Sequence, residues 1–162
     1  MNKSLIIADS SPLISLSIIG QLDLLRELYS KVLIPQGVWQ EIVIDGAGLP
    51  GAQEVSKLDW IEIQNANPTI SDSLAILIDK GEAEAIALAT QLPDCTVLLD
   101  DARARRVAER FNLRRIGTVG ILRRAKKKGL LNKIKPFIEK LQLNGIYISQ
   151  KLVDLILKDV GE

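Results

Sequence analysis

Apolar residues along the chain alternate between short continuous runs and helically spaced stripes. Leu5-Ile6-Ile7-Ala8 is apolar at every position and rich in branched side chains, the pattern of a strand buried on both faces. It ends at Asp9-Ser10-Ser11-Pro12, where Ser11 is expected to cap a helix and Pro12 to occupy its first position. Leu13 and Leu16 carry that helix, and Leu24, Leu25 and Leu28 carry a second. Val32-Leu33-Ile34 predicts another strand, stopped by Pro35, and Val38 with Ile42 predicts a helix containing Glu41. Residues 45–51 (DGAGLPG) read as a flexible loop, and Trp60 to Ile63 as a strand near a sheet edge.

Further along, Ser71 is expected to open a helix through Leu74 and Leu77, and Gly81 to break the chain before the Ala-rich helix Glu82 to Ala89. Thr96 to Leu99 is a strand that ends at Asp100-Asp101. In the next helix Ala104, Val107, Ala108 and Phe111 form one face, and Arg103, Arg106 and Arg110 another. Arg115-Ile116 is a short strand. Gly117-Thr118 starts the helix of Ile121, Leu122 and Ala125, which Gly129 ends, and two more helices follow, around 134–143 and 150–157. Strands that alternate with helices call for a parallel sheet covered on both faces, within one domain spanning 1–162.

Composition narrows the chemistry. The 162 residues contain no histidine and one cysteine, Cys95. Ser-His and Cys-His nucleophilic catalysis, imidazole proton shuttles, His-ligated zinc, thiolate metal cages and internal disulfides are therefore excluded. The apolar runs are too short to span a bilayer, and the start at Met1-Asn2-Lys3-Ser4 lacks the long apolar region of a signal peptide. The expectation is a cytoplasmic protein with no membrane contact.

The net charge of +1 averages over unlike segments. Residues 1–102 carry 5 basic and 15 acidic side chains, whereas 103–135 carry 13 basic ones against Glu109 alone. A solvated helix face would account for five or six such charges; a net +12 within 33 residues sets up a field suited to a polyanion such as nucleic acid.

The acids lie where a parallel sheet concentrates function, at the carboxyl ends of strands. Asp9 follows the first strand and Asp100-Asp101 the fourth, while Glu41 and Glu82 sit near helix starts that could face the same cleft. Taken singly, each has an ordinary role as a helix-start or solvated residue. Taken jointly, converging carboxylates repel one another unless a cation joins them, and an oxygen-only donor set selects Mg²⁺ or Mn²⁺. Such an ion activates water for phosphoester hydrolysis.

The pattern resembles the PIN domain family of metal-dependent ribonucleases, and most of all the branch related to VapC-type toxins of bacterial toxin–antitoxin pairs. The resemblance rests on residues 7–14 (IADSSPLI), Ile34-Pro35 with Val38 and Glu41, residues 81–89 (GEAEAIALA), Leu98-Leu99-Asp100-Asp101 with Arg103 and Arg106, and residues 117–122 (GTVGIL). It implies a three-layer α/β/α sandwich with a central parallel sheet. It implies metal ligands at Asp9, at Glu82 or its neighbour Glu84, and at Asp100 or Asp101, with Glu41 orienting metal or water. Ser10 would be the small hydroxyl residue beside Asp9, and Thr118 a helix cap or phosphate contact. Arg103 and Arg106 would hold the RNA backbone. The resemblance further implies Mg²⁺ or Mn²⁺ as cofactor, RNA as substrate, a cognate antitoxin and a homodimer as partners. Two other readings follow from the residues, a receiver-type phospho-acceptor domain and a PIN-like module that binds RNA or protein without turnover. Few aromatics are available to stack on bases, and Trp39 and Trp60 are expected in the core or an interface.

Overall fold

Around a five-stranded sheet of wholly parallel strands, the chain packs helices on both faces, the three-layer sandwich expected. The computed structural model describes residues 4–162, so the Met1-Asn2-Lys3 start lies outside the described residues. The strands are β1 (Leu5–Ala8), β2 (Lys31–Ile34), β3 (Ile61–Ile63), β4 (Cys95–Leu98) and β5 (Arg114–Ile116), in the spatial order β3-β2-β1-β4-β5. β1 is therefore central, paired in register with β2 (Ile6 against Val32) and with β4 (Ala8 against Leu98). The order differs from the 2-1-3-4-5 of the flavodoxin-like folds that include receiver domains.

Alternation along each strand divides the core between the two faces. Ile6, Ala8, Val32, Ile34 and Leu98 face one layer, formed by α1 (Ser10–Ile18), α2 (Asp23–Leu28), α8 (Thr118–Lys127), α9 (Lys135–Leu143) and α10 (Gln150–Asp159). Ile7, Leu33, Val97 and Leu99 face the other, formed chiefly by α5 (Pro68–Leu74), α6 (Lys80–Gln91) and α7 (Ala102–Arg110). Burial on both faces is why these strands are apolar at every position rather than alternating.

Several boundaries differ from expectation, each for a local reason. α1 begins at Ser10, with Asp9 rather than Ser11 at the cap position; Pro12 falls within the first turn, where its missing N–H is tolerated. The Asn67 side chain, not Ser71, caps α5 by accepting the Thr69 N–H at 2.9 Å, with Pro68 at the first helical position. Gly81 lies inside the first turn of α6, which starts at Lys80, two residues upstream of the expected start, with the Asp79 N–H donating to Glu82 Oε1 at 3.1 Å across that turn. The helix α3 (Gln36–Trp39) continues into a π-helical turn, Gln40–Asp45, that contains Glu41. Beyond the turns at 46–51 lies an unexpected short helix, α4 (Ala52–Ser56). Glu54 ties it down by accepting the Gly51 N–H and the Ser17 hydroxyl, both at 2.8 Å. β3 is the edge strand expected; Trp39 and Trp60 both pack against the core, and Arg26 lies over the Trp60 ring. Among the described residues no helix is long and apolar enough to cross a membrane.

Candidate active site

β1 and β4 are neighbours whose following connections leave in opposite directions along the sheet, so a crevice opens beyond their carboxyl ends. Asp9 is the first residue beyond β1, and its N–H still donates to the Leu98 carbonyl at 3.2 Å, continuing the ladder. That pairing fixes the Asp9 backbone and leaves its side chain in the crevice, 3% exposed. Ser10 beside it is equally buried at the head of α1.

Asp9 is an acid in an unfavourable place. Burial drives its pKa from 3.8 to about 7, against the Ser10 N–H, which pulls it down; the charges of Glu82, Glu41 and Asp100 push it further up. Glu82, buried in the first turn of α6, is raised in the same way. Burial is the main cause, opposed by the Asp79 N–H it accepts at 3.1 Å and reinforced by the charges of Asp101, Asp79 and Glu41. Neither acid has a cationic partner, and none of Asp9, Glu41, Glu82, Asp100 and Asp101 takes part in an ion pair among the described residues.

The elements around Asp9 bring the other acids in from different directions. The π-helical turn carries Glu41 to the mouth of the crevice. There Gly81 makes the approach possible, because a Cβ at that position would stand 3.1 Å from Glu41 Oε2 and 3.3 Å from Asp9 Oδ1. Asp100 is exposed and held by both polar groups of buried Thr118. The Thr118 N–H donates to its Oδ1 at 2.8 Å and the Thr118 hydroxyl to its Oδ2 at 2.6 Å. Asp101 instead caps α7, accepting the Ala104 N–H at 2.9 Å, and its charge is felt at Glu82. Glu84 accepts the Gly37 N–H at 3.0 Å and lines a cleft of about 710 Å³ with Glu41 and Gly81.

The donor set suits a hard divalent cation, since every candidate ligand is a carboxylate or hydroxyl oxygen and the most buried carries uncompensated like charges around it. Among the described residues no three of these carboxylates close up into a single ligand cluster, which is how groups of like charge arrange themselves.

The arginines divide differently from the sequence reading. Arg103, Arg106 and Arg110 line a separate depression of about 590 Å³ with Ile76 and Leu77, and none of the five acids lines it. The arginine beside the acids is Arg105, half-buried: its Nη1 and Asp100 Oδ1 would each stand 2.9 Å from a Cβ on Gly117. Helical spacing could not single out Arg105, because its position relative to the crevice depends on how α7 packs. Part of the basic excess is also answered within the fold, where Arg123 and Lys127 pair with Asp159, and Lys126 with Glu162.

No curated protein matches the chain closely. The family model of the PIN domain, by contrast, matches residues 5–162, from the first residue of β1 through α10, and on that match the chain belongs to the PIN domain family.

Proposed function

We propose that the protein is a Mg²⁺- or Mn²⁺-dependent endoribonuclease that hydrolyses RNA phosphodiester bonds with water, and that it is the toxin of a type II toxin–antitoxin pair. PIN domains are generally nucleases and commonly use divalent metals. The observation that carries the reading is Asp9, a buried acid surrounded by the charges of Glu82, Glu41 and Asp100 and in no ion pair of its own among the described residues. Such an arrangement is costly in free energy unless it serves a bound cation.

Asp9, Glu82 and Asp100 are the residues that would hold the ion, with Asp101 beside Glu82 and occupied in part by its helix cap. Bound there, the ion lowers the pKa of water and neutralises charge on the phosphate. Glu41, exposed at the cleft mouth, orients the attacking water and accepts its proton. Thr118 holds Asp100 in a fixed orientation by donating to both of its oxygens, and Ser10 supplies an N–H to Asp9. Arg103 and Arg106 give the RNA backbone a contact that is independent of sequence, beyond the cleft itself. The antitoxin and a homodimer belong to the same proposal. Its support is Ile76, 85% exposed, beside Leu77 and the arginines of α7, an apolar patch with a charged rim of the kind that partners cover.

Calorimetric titration of Mg²⁺ or Mn²⁺ into the wild type and Asp9→Asn, with RNA cleavage assayed on the same samples, tests the reading. The expected result is ion binding and metal-dependent cutting by the wild type, both lost in Asp9→Asn. RNA binding with no turnover under either ion would establish the silent-module reading. Absence of ion binding at millimolar concentration would make the acids structural.

A further inference from the structure

A depression of about 480 Å³ adjoins the carboxylates on the side of β5 and the last two helices. Asp100 and Arg105 wall it together with Ile116, Val119 and Tyr147, so whatever fills it lies beside Asp100. Its neighbour, a groove of about 660 Å³ along the edge strand β5, shares Arg105 and Arg115 with it and adds Arg114 and Arg124.

Three properties of this depression define what it can take. Arg105 Nη1 and Asp100 Oδ1 flank Gly117, each 2.9 Å from where its Cβ would stand, yet they form no ion pair among the described residues, so Arg105 can also serve an anion. Arg115 pairs with Glu109 at 3.5 Å, a partly exposed pair that water and salt weaken, and donates a long bond to the Leu113 carbonyl at 3.5 Å. Tyr147, between α9 and α10, is 88% exposed beside apolar Ile116 and Val119, and a large uncovered ring at a cationic cleft is a platform for a flat partner. An anionic group at Arg105 linked to a planar apolar group at Tyr147 is the chemistry of a nucleotide. The arginine-lined groove that continues from it matches the next phosphates of a strand.

We propose that this depression is a subsite for the nucleotide next to the cleaved phosphodiester of a single-stranded RNA, with Arg105 on its phosphate and Tyr147 stacked on its base. This rests on the ribonuclease reading above. It adds that the substrate strand leaves the acids toward β5, and that the nucleotide at the cut is unpaired, because a base in a duplex offers no free face to the ring.

The test is fluorescence anisotropy with a short fluorescein-labelled single-stranded RNA, in an Asp9→Asn background that keeps the RNA whole. A second probe is the same strand made abasic throughout. Tyr147→Ala is expected to weaken binding of the base-bearing strand roughly 5- to 150-fold, the range found for one stacked base. Tyr147→Trp is expected to restore it, and the abasic strand to be insensitive to both. Arg105→Ala is expected to weaken both strands alike. Unchanged affinity on Tyr147→Ala, or equal loss for base-bearing and abasic strands, overturns the stacking role. A shift from dimer to monomer on Tyr147→Ala, with RNA affinity intact, makes the face a protein interface and also overturns it. If the wild type neither binds nor cuts RNA with Mn²⁺ present, the ribonuclease reading fails and the subsite with it. A wild type that cuts RNA while Tyr147 proves inert fails the subsite alone.

Discussion

Two acids follow the adjacent strands β1 and β4, and they are held in place by different means. Asp9 ends β1 in a buried position where its charge is disfavoured. Asp100 follows β4 into solvent, where two hydrogen bonds from Thr118 fix its orientation. A carboxylate held by donors is oriented before any ligand arrives, whereas one held by burial gains most when a cation appears. Under the metal-dependent reading proposed above, the two would have separate duties within one crevice: Asp9 would supply the demand for an ion, and Asp100 a fixed place for it.

The sharpest way to break this comparison is to neutralise each acid in turn. Asp9→Asn and Asp100→Asn are each expected to lower metal-dependent RNA cleavage by roughly 100- to 10,000-fold, the rate equivalent of several kcal/mol of lost charge stabilisation. Initial rates at saturating Mn²⁺ measure this, and a loss under tenfold at either position removes that acid from the site.

The next effect separates the two by stability. A carboxyl whose pKa is about 7 when folded and 3.8 when unfolded holds its proton more tightly in the native state. The native protein then binds more protons between those values, so stability falls as pH rises from about 4 to 7 and stays low above. The penalty at pH 8 is on the order of 4 kcal/mol for the metal-free protein. Urea unfolding in the presence of a chelator is expected to show Asp9→Asn more stable than wild type at pH 8 and about equal at low pH. Asp100→Asn, which weakens the Thr118 clamp, is expected to be destabilised at pH 8.

A smaller effect comes from the clamp itself. Thr118→Val keeps the shape and the N–H but loses the hydroxyl bond at 2.6 Å, and is expected to weaken Mn²⁺ binding about 10- to 100-fold by calorimetry. Last, Asp101→Ala is expected to lower stability by about 1 kcal/mol through loss of the α7 cap, and Asp101→Ser to restore it. If Asp101→Ser also keeps most of the cleavage rate, the second acid of the pair is a capping residue and Asp100 the ligand.

Much of this arrangement was legible in the sequence for a plain reason. Strands buried on both faces must be apolar throughout, so the acids directly beyond Ala8 and Leu99 stand out against them. Glu41 and Glu82 joined them by their place near helix starts that could face the same cleft, and the family resemblance matched the same positions. What stayed hidden depends on tertiary placement. Arg103, Arg105 and Arg106 are one chemistry on one helix, and only the packing of α7 turns Arg105 toward Asp100. Tyr147 lies in an unremarkable stretch of sequence, and no periodicity marks it as an uncovered ring beside the crevice. The π-helical turn that presents Glu41 reads as ordinary helix in the sequence, because its extra residue per turn is set by the neighbours against which it packs.

The central pairing of β1 with β4 joins Ala8 to Leu98. During synthesis, about ninety residues must leave the ribosome before the two strands can meet. The clamp on Asp100 arrives later still, with Thr118. At ordinary elongation rates the nascent chain spends several seconds holding Asp9 without its neighbours. Under the ribonuclease reading proposed above, the enzyme would be inert beside the message that encodes it until most of the chain exists.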